Sequence, residues 1–342
     1  MPKYEKAFFA KINMQNPPKP KSKIWYVRRA TDNYLTQFVV CGYEFTENMT
    51  LDSLGKAEGF DQHLNFRKAF LPEKNHYWLS RDFSGQELRI IANLSGEPAW
   101  INAFLSGGDI HKATAVTMWG EENYTKERRK AAKAINFGLV YGISAKSLAE
   151  GLGKEGLNIS DKEAQGYIDS FFNKLPAIRQ FMDAQANYVQ NYRDLPNMYG
   201  RKRRFHNFFN EYGKLTGGGE RAAYNQPVQS MGADITKLAL IKIYDRLIVN
   251  PKYHNKIVFK STIHDEINFS VAYDFVEKAA KYTEELMNHK MPGCPVIITT
   301  GLEIGHSMGL TWKFNQDNET LVLTPDIIPF SDIEIAEQKL LS

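Results

Sequence analysis

The sequence is short of cysteine and of long apolar runs. Cys41 and Cys294 are its two cysteines in 342 residues, too few for a disulfide framework or a cysteine-based zinc site. Mean hydropathy is −0.44, and no apolar run approaches the roughly 18 residues of a membrane-spanning helix. Residues 1–23 lack the pattern of a secretory signal. We therefore expect a globular protein of the reducing cytoplasm with no membrane partner.

The net charge of +4 is unevenly distributed along the chain. Residues 316–342 carry a net charge of −5, so residues 1–315 carry +9. A basic body favours a polyanionic partner such as a nucleic acid. An ordinary solvated surface followed by an acidic tail explains the same balance about as well. The hydrophobic content of 43% is enough for a substantial core, in one large domain or two intimate ones.

The stretch 128–142 combines basic and aromatic residues at helical spacing. Every fourth residue in it is basic or aromatic, and these residues are Arg129, Lys133, Phe137 and Tyr141. A helix places them on one face, with two cations and then two rings over roughly 18 Å. That order matches the phosphates, sugar and base of a nucleoside triphosphate. Gly138 and Gly142 would let a bulky group approach the rings. An amphipathic surface helix explains the spacing equally simply.

A carboxylate is predicted at the end of the first well-defined strand. The spacing predicts a strand over 76–81, then a short turn and a helix over 86–95. Asp82 then lies at the strand end, and Glu87 lies in the first helical turn near it. Helix capping by Asp82 or Ser84 is a simpler explanation of the same residues.

A second pair of acids is predicted at a hairpin tip. Residues 256–271 read as two strands that meet at His264, Asp265 and Glu266. Adjacent carboxylates repel each other and favour a bound cation, although ordinary acidic turns also occur. Phosphoryl transfer uses divalent ions about 3.5–4 Å apart that are held by carboxylates. Asp82 and Asp265 are candidates to share that role if a sheet brings them together.

Two further stretches suggest contacts with a nucleic acid. The basic run 201–204 in a predicted hairpin can grip a phosphate backbone, and a solvated charge run is the simpler explanation. The glycines at 217–219 predict a flexible loop. A helical region follows, in which Pro227 predicts a bend or restart. Three polar residues recur there every four positions and can contact a groove, or simply form an exposed face: Arg221, Asn225 and Gln229.

Together these motifs resemble the family A DNA polymerases, the class of bacterial DNA polymerase I and many phage replicases. The three polymerase motifs of that family correspond to DFSGQELR at 82–89, RKAAKAINFGLVYG at 129–142 and HDE at 264–266. Further matches are DIHKATA at 109–115, ERAAYNQPVQ at 220–229 and GLEIG at 301–305. The resemblance runs from Arg67 to Trp312 in the family's order.

The resemblance implies an α+β fold, with a palm whose antiparallel sheet carries the two aspartates and with mainly helical fingers. The implied segments are an N-terminal arm and insertion at 1–66, the palm at 67–111 and 226–312, the fingers at 112–225 and an acidic tail at 313–342. The family normally has a thumb, and often a 3′ to 5′ exonuclease, before the palm, and we expect neither domain within this chain. We therefore expect a split polymerase, phage-encoded and located in the host cytoplasm, with thumb and 3′ to 5′ exonuclease on a second polypeptide.

The resemblance also implies roles for individual residues. Two Mg²⁺ ions would be bound by Asp82, Asp265 and the carbonyl of Phe83, with Glu266 accessory. The incoming deoxynucleotide would be contacted by Glu87, His111, Arg129, Lys133, Phe137 and Tyr141. Lys133 would also donate a proton to pyrophosphate, and Glu87 with Tyr141 would exclude a ribose 2′-hydroxyl. The primer-template duplex would be contacted by Arg221, Asn225, Gln229 and His264.

The sequence departs from the family pattern before Glu87. Gly85 and Gln86 stand where the family usually has Gln-Ile, so a polar contact near the nucleotide is expected to be lost or moved. Two other functions compete with DNA synthesis. A non-catalytic nucleic-acid-binding subunit is opposed by the intact acids and cations. An RNA polymerase or primase is opposed by Glu87, because related RNA polymerases have a small residue there.

Overall fold

The computed structural model describes residues 67, 70–154 and 157–314 of the chain. The predicted N-terminal arm and insertion at 1–66, including Cys41, and the predicted acidic tail from residue 315 onward lie outside these residues. The chain divides into two compact units. Among the described residues, the first unit comprises 67, 70–82, 244–283 and 301–314, and the second comprises 83–154, 157–243 and 284–300. The predicted palm and finger boundaries remain predictions.

The described residues form a mixture of helices and mainly antiparallel strands, which confirms the predicted α+β class. The strands are β1 (His76–Phe83), β2 (Asp194–Pro196), β3 (Lys202–Arg204), β4 (Ile257–Ile263), β5 (Glu266–Ala272), β6 (His289–Lys290), β7 (Ile297–Ile298), β8 (Thr300–Ser307) and β9 (Leu310–Phe314). The α-helices are α1 (Gln86–Ser95), α2 (Pro98–Leu105), α3 (Ile110–Trp119), α4 (Lys126–Val140), α5 (Ala145–Lys154), α6 (Asp161–Lys174), α7 (Pro176–Tyr192), α8 (Gly217–Ile243) and α9 (Val276–Met287). None of these helices combines the length and apolar character needed to cross a bilayer.

The first unit is built on a five-stranded sheet with the order β4-β5-β1-β8-β9. Strand β1 pairs antiparallel with β5, so that Ser80 lies opposite Asn268 and Asp82 lies opposite Glu266. Because alternate strand residues point to opposite faces, Trp78, Ser80 and Asp82 share one face. On that face Asn268 Oδ1 accepts hydrogen bonds from Ser80 Oγ at 2.5 Å and from Trp78 Nε1 at 2.9 Å.

The opposite face of β1 is covered by helix α9. Arg81 is only 2% exposed, and its guanidinium donates to Thr283 Oγ1 at 3.2 Å and to the carbonyl of Ala280. A buried arginine of this kind is tolerated because helix and side-chain oxygens satisfy its donors. The sheet therefore has one face closed by a helix and one polar face that carries Asp82.

The second unit is mainly helical. Helix α1 packs against α7 and α8, and α4 lies between α3 and α5. One apolar cluster joins the end of α7, the β2–β3 hairpin and the start of α8, through Val189, Leu195, Phe205, Leu215 and Ala223. This packing ties the hairpin to two long helices.

The predicted flexible loop at 217–219 is wrong, because these glycines form the first turn of α8. A side chain at Gly219 would lie 2.4 Å from Leu215 Cδ1 and 2.9 Å from Phe208 Cβ. Close packing, and not flexibility, therefore requires glycine there. A restart of the helix at Pro227, one of the two predicted outcomes, is also absent, since α8 continues through this residue. The buried neighbours of Pro227 offset the roughly 3 kcal/mol that an interior proline costs.

Candidate active site

Two of the predicted acids meet on the polar face of the sheet. Asp82 is the seventh residue of β1, and Asp265 occupies the tight turn between β4 and β5, where His264 has a positive φ of 55°. The carboxyl groups of Asp82 and Asp265 are within reach of each other, so that they can hold one proton between them below the raised pKa of Asp82. The structure thus brings together two side chains that are far apart in sequence.

The ionisation of Asp82 is strongly disfavoured. Surrounding protein atoms, followed by the negative charge of Asp265, raise the pKa of Asp82 to about 7, and Glu266 and Glu303 add to this repulsion. Residue Asp82 nevertheless remains exposed to solvent. A divalent cation would relieve the repulsion and displace the shared proton. The acids therefore form a place where a cation is favoured and accessible.

The donor set fits Mg²⁺ better than a metal that needs a full protein cage. Among the described residues, no group of three or more His, Cys, Asp or Glu side chains is arranged to hold a metal ion. Mg²⁺ is commonly bound through one or two carboxylates plus waters and substrate phosphates. Asp82 and Asp265 supply such a pair. The carbonyl of Phe83, next to Asp82 in the chain, is a further candidate ligand.

Glu266 is neutralised within the first unit. It begins β5 opposite Asp82, and its carboxylate lies 3.9 Å from a guanidinium nitrogen of Arg67. Both side chains are largely buried. This ion pair gives Glu266 a cation of its own, and the charge of Asp265 raises the pKa of Asp82 more than the charge of Glu266 does. His264 is exposed at the turn.

The basic and aromatic face of α4 is accessible, as the spacing predicts. Thr125 caps the helix by accepting a hydrogen bond from the amide of Arg128, and Tyr141 follows its last residue. Lys133 is exposed, whereas Arg129, Phe137 and Tyr141 are partly buried. The opposite face of α4 is buried in the core through Ala132, Ile135, Asn136 and Leu139.

Arg129 is held by Asp109, a partner that the sequence analysis missed. Asp109 caps α3, where its carboxylate accepts hydrogen bonds from the amides of His111 and Lys112. The same carboxylate accepts the Nε hydrogen of Arg129 at 2.5 Å. Four N–H hydrogens on the two terminal nitrogens of Arg129 remain to bind phosphate oxygens.

His111 lies beside this pair, and its ring centroid is 5.8 Å from that of Phe137. Burial lowers the pKa of His111 to about 4. The positive charges of Arg129 and Lys133 act in the same direction, and Asp109 acts against them. The imidazole is therefore neutral at physiological pH. A neutral ring can donate one hydrogen bond to a phosphate but brings no charge.

Glu87 and Tyr141 lie next to each other, as the proposed sugar-excluding pair requires. The hydroxyl of Tyr141 is buried and has no well-formed hydrogen bond. Burial, followed by the neighbouring carboxylate of Glu87, raises the pKa of Tyr141 above its ordinary value. Gln86, at the departure from the family pattern, is buried, and its amide donates to Thr236 at 3.4 Å. The side chain at this position is thus turned into α8.

A cavity of about 670 Å³ opens where α4 ends. Its walls are Phe137, Gly138, Tyr141, Gly142, Ile143, Ser144, Ser147 and Arg221. Gly142 has a φ of +70°, and a side chain there would lie 2.9 Å from Arg221 Cγ. A side chain at Gly138 would lie 2.9 Å from the side chain of Ile143. Glycine is therefore needed at this position for packing within the protein itself. The cavity is large enough for an aromatic base.

The polar residues of α8 form an accessible stripe. Arg221 and Gln229 are exposed, and Asn225 between them is partly buried with an unpartnered Oδ1. Regular helical geometry places the three on one side of the helix. The basic run 201–204 is different, because three of its four cations have partners inside the protein: Arg201 binds Asp234, Lys202 binds Asp194, and Arg203 lies over Phe205 and Phe208.

The sequence also resembles known proteins along most of its length. The family model described as DNA polymerase family A matches residues 54–313. DNA polymerase I of Caldicellulosiruptor bescii is 34% identical over 255 residues, which are 74% of this chain and 28% of the relative. The Streptococcus pneumoniae enzyme is 34% identical over 72% of this chain and 27% of its own length. The chain thus spans less than a third of either relative.

A solved structure shows the same similarity in three dimensions. The POL domain of Pol1 from M. smegmatis, in a complex with DNA primer-template and dNTP, superposes with a TM-score of 0.62 at 26% identity. The match covers 74% of this chain and 43% of that one. The similarity therefore extends to the arrangement of helices and strands, and not only to short motifs.

Proposed function

Because the chain belongs to the family A DNA polymerases, we propose that it is a template-directed DNA polymerase that adds deoxynucleotides to a primer 3′ end. The observation that carries the proposal is the meeting of exposed Asp82 and partly buried Asp265, two acids that repel each other. Bound Mg²⁺ would polarise the reacting phosphate and stabilise the attacking and leaving oxygens. Two ions would be held by Asp82, Asp265 and the Phe83 carbonyl, with Glu266 accessory.

The second unit supplies the groups for the incoming nucleotide. Arg129, oriented by Asp109, binds the triphosphate through its free nitrogens, and His111 donates to it. Lys133 is exposed and charged, so it can bind the phosphates and then donate a proton to the departing pyrophosphate. Phe137 and Tyr141 pack against sugar and base.

Sugar selection and duplex contact are assigned to other residues of the site. Glu87 and Tyr141 leave no room for a 2′-hydroxyl, which favours deoxynucleotides. The stripe of Arg221, Asn225 and Gln229, together with His264, contacts the primer-template in its minor groove, where acceptors occur in every base pair. Such contacts test the fit of a pair without reading its sequence.

A second polypeptide with thumb and 3′ to 5′ exonuclease completes the proposed enzyme. This part of the proposal rests on the family resemblance alone. The competing function is a non-catalytic subunit that binds nucleic acid with the same fold. The acids distinguish the two, because a subunit that only binds DNA gains nothing from two carboxyl groups that repel each other.

The test is Mg²⁺-dependent primer extension by the purified chain, alone and with candidate thumb-bearing partners. We expect Asp82→Asn and Asp265→Asn to reduce extension at least about a thousandfold, equivalent to ~4 kcal/mol of transition-state stabilisation. Asp274→Asn is the matched control, since this acid of the same unit is exposed and pairs with Lys256. Unchanged extension by the Asp82 variant would refute catalysis. Full processive synthesis by the isolated chain would remove the need for a partner.

A further inference from the structure

Asn136 is a polar residue on the buried face of α4. It is fully buried beside Ile135, and the residues one turn away on either side, Ala132 and Leu139, are buried and apolar. Its Nδ2 lies 3.0 Å from Nδ1 of His111. Its Oδ1 is buried and has no hydrogen-bond partner. An alanine or leucine would stabilise such a position better, so the amide needs an explanation beyond stability.

The orientation of the Asn136 amide group follows from comparing which atoms each of its two orientations leaves without a hydrogen-bond partner. With Nδ2 toward His111, one carbonyl oxygen is left without a partner. With the amide turned over, both hydrogens of the NH₂ group would occupy the unpartnered position. Buried donors without acceptors are rarer in proteins than under-satisfied carbonyls. The arrangement with Nδ2 toward His111 is therefore favoured, and Nδ1 of His111 must accept the hydrogen bond.

Burial, opposed by Asp109 and supported by two cations, leaves one proton on the His111 ring. Arg129 and Lys133 approach from α4, and Asp109 approaches from the start of α3. The net effect, after burial, is a neutral imidazole. A neutral imidazole carries its proton on one nitrogen, and the hydrogen bond at the other nitrogen decides which. If Nδ1 accepts from Asn136, the proton is on Nε2.

We propose that Asn136 is a positioning residue that fixes His111 in the Nε2–H form, so that the ring presents a hydrogen-bond donor to the triphosphate. This inference rests on the proposed function only for the identity of the acceptor. The tautomer itself is a property of the free protein. Asn136 contacts no substrate and acts through His111.

The first experiment measures the tautomer directly. The unmutated chain is labelled with ¹⁵N-histidine, the His111 signals are assigned by comparison with His111→Gln, and the two ring nitrogens are examined at pH 8. We expect a protonated, pyrrole-type Nε2 and an unprotonated, pyridine-type Nδ1. A protonated Nδ1 would overturn the proposal. This measurement needs no variant of Asn136 and no activity.

The second experiment moves the proton. In Asn136→Asp the carboxylate can only accept, so we expect Nδ1 to become protonated and the dNTP KM at pH 8 to rise about tenfold, the effect of one lost hydrogen bond to a charged group. Lowering the pH should then protonate Nε2 as well and restore KM. If the Asn136→Asp protein kept the original tautomer, or if its KM did not depend on pH, the proposal would be contradicted.

A matched control separates positioning from packing. Asn93→Asp places the same change on α1, where Asn93 donates to the carbonyl of Val296 and accepts from its amide. It should lower stability without altering the nitrogen signals of His111. Addition of dNTP to the unmutated chain tests the proposed function separately. If the tautomer is as expected but Nε2 does not respond to dNTP, the nucleotide role of His111 fails and the positioning role of Asn136 stands.

Discussion

At the scale of single residues, burial and the neighbouring negative charges disfavour the ionised form of Asp82. Its pKa of about 7 means that the folded state holds a proton that the unfolded chain, with an ordinary value near 3.8, releases. The unfavourable contribution therefore grows as pH rises from about 4 to about 7 and is complete above that range. An acid arranged in this way lowers the stability of the metal-free protein at physiological pH.

Asp82→Asn should therefore stabilise the metal-free chain while abolishing synthesis. We expect a gain of about 1 kcal/mol in the free energy of unfolding at pH 8, a modest value because the residue is exposed and solvent screens the repulsion. Urea unfolding in EDTA at pH 8 and pH 5 measures it, and the gain should shrink at the lower pH. Excess Mg²⁺ should stabilise the unmutated chain and not the variant. A loss of stability in the variant at pH 8 would show that Asp82 is not repelled.

Glu87 should control sugar selection through its contact with Tyr141. We expect Glu87→Ala to increase ribonucleotide incorporation relative to deoxynucleotide incorporation at least about tenfold, or ~1.4 kcal/mol of discrimination. Single-nucleotide insertion assays with matched dNTP and rNTP measure the ratio. Glu127→Ala, an exposed change at the start of α4, is the control. An unchanged ratio would place the steric barrier elsewhere.

At the scale of elements, one buried carboxylate joins two helices. Glu97 caps α2 by accepting from the amide of Ala99 at 3.3 Å, and its other oxygen accepts from the amide of Ala177 in the first turn of α7 at 3.2 Å. Helix N-termini have unpaired amides that favour a negative partner. Glu97 therefore stabilises two helix starts that are far apart in sequence.

Glu97→Ala should cost about 2 kcal/mol of stability, since each cap is worth about 1 kcal/mol. Thermal or urea unfolding measures the loss. Glu163→Ala serves as a comparison, because Glu163 belongs to a capping box with Ser160 at one helix only and is exposed. It should cost about half as much. Equal losses for the two variants would argue against the bridging role of Glu97.

The bounds of a helix could be predicted from the sequence where residues next to its ends determine them. The helix predicted over 86–95 begins and ends where α1 does, because Gly85 and Gly96 both have positive φ and terminate it. The role of Gly219 could not be predicted, because the reason for this glycine is close packing against Leu215 and Phe208, which the local pattern does not show. The same limit applies to Pro227, whose burial is invisible in a local pattern.

The site could be predicted only in part. The accessible face of α4 follows from its spacing, and so does the hairpin that carries Asp265. Asp82 and Asp265 are brought together by the pairing of β1 with β5. The periodicity of each segment does not show which strands pair, so this part of the site was predicted from the family resemblance. Asp109 and Asn136 were missed. The sequence did contain an indication that Asn136 has a special role, because it is a polar residue at a position where α4 faces the core.

At the scale of the whole molecule, charge is divided between a basic body and an acidic C-terminal stretch. The chain belongs to a family whose members act on DNA, which is itself a polyanion. Residues 316–342, with a net charge of −5, should therefore compete weakly with DNA for the basic surface. Such competition depends on ionic strength, because screening shortens its range.

A chain ending at Asn315 should bind primer-template DNA more tightly than the full chain. We expect a gain of about two- to tenfold at 50 mM salt that becomes smaller at 200 mM salt. Fluorescence anisotropy with a labelled duplex measures both affinities. A full chain with the six acids of 316–342 replaced by their amides should match the truncated chain. Equal affinity of the full and shortened chains at low salt would exclude the competition.

The hydrogen bond between Ser80 and Asn268 also has a consequence for assembly of the fold. If β1 slid by one residue along β5, every side chain of the strand would change faces. Asp82 would then turn toward helix α9, and buried Arg81 would turn outward, so mispaired molecules would be inactive as well as unstable. The polar pair penalises that slip, because in the shifted arrangement both groups would lose their partner in the interior. Variants such as Ser80→Ala should therefore be judged by the fraction of correctly refolded molecules as well as by their rate.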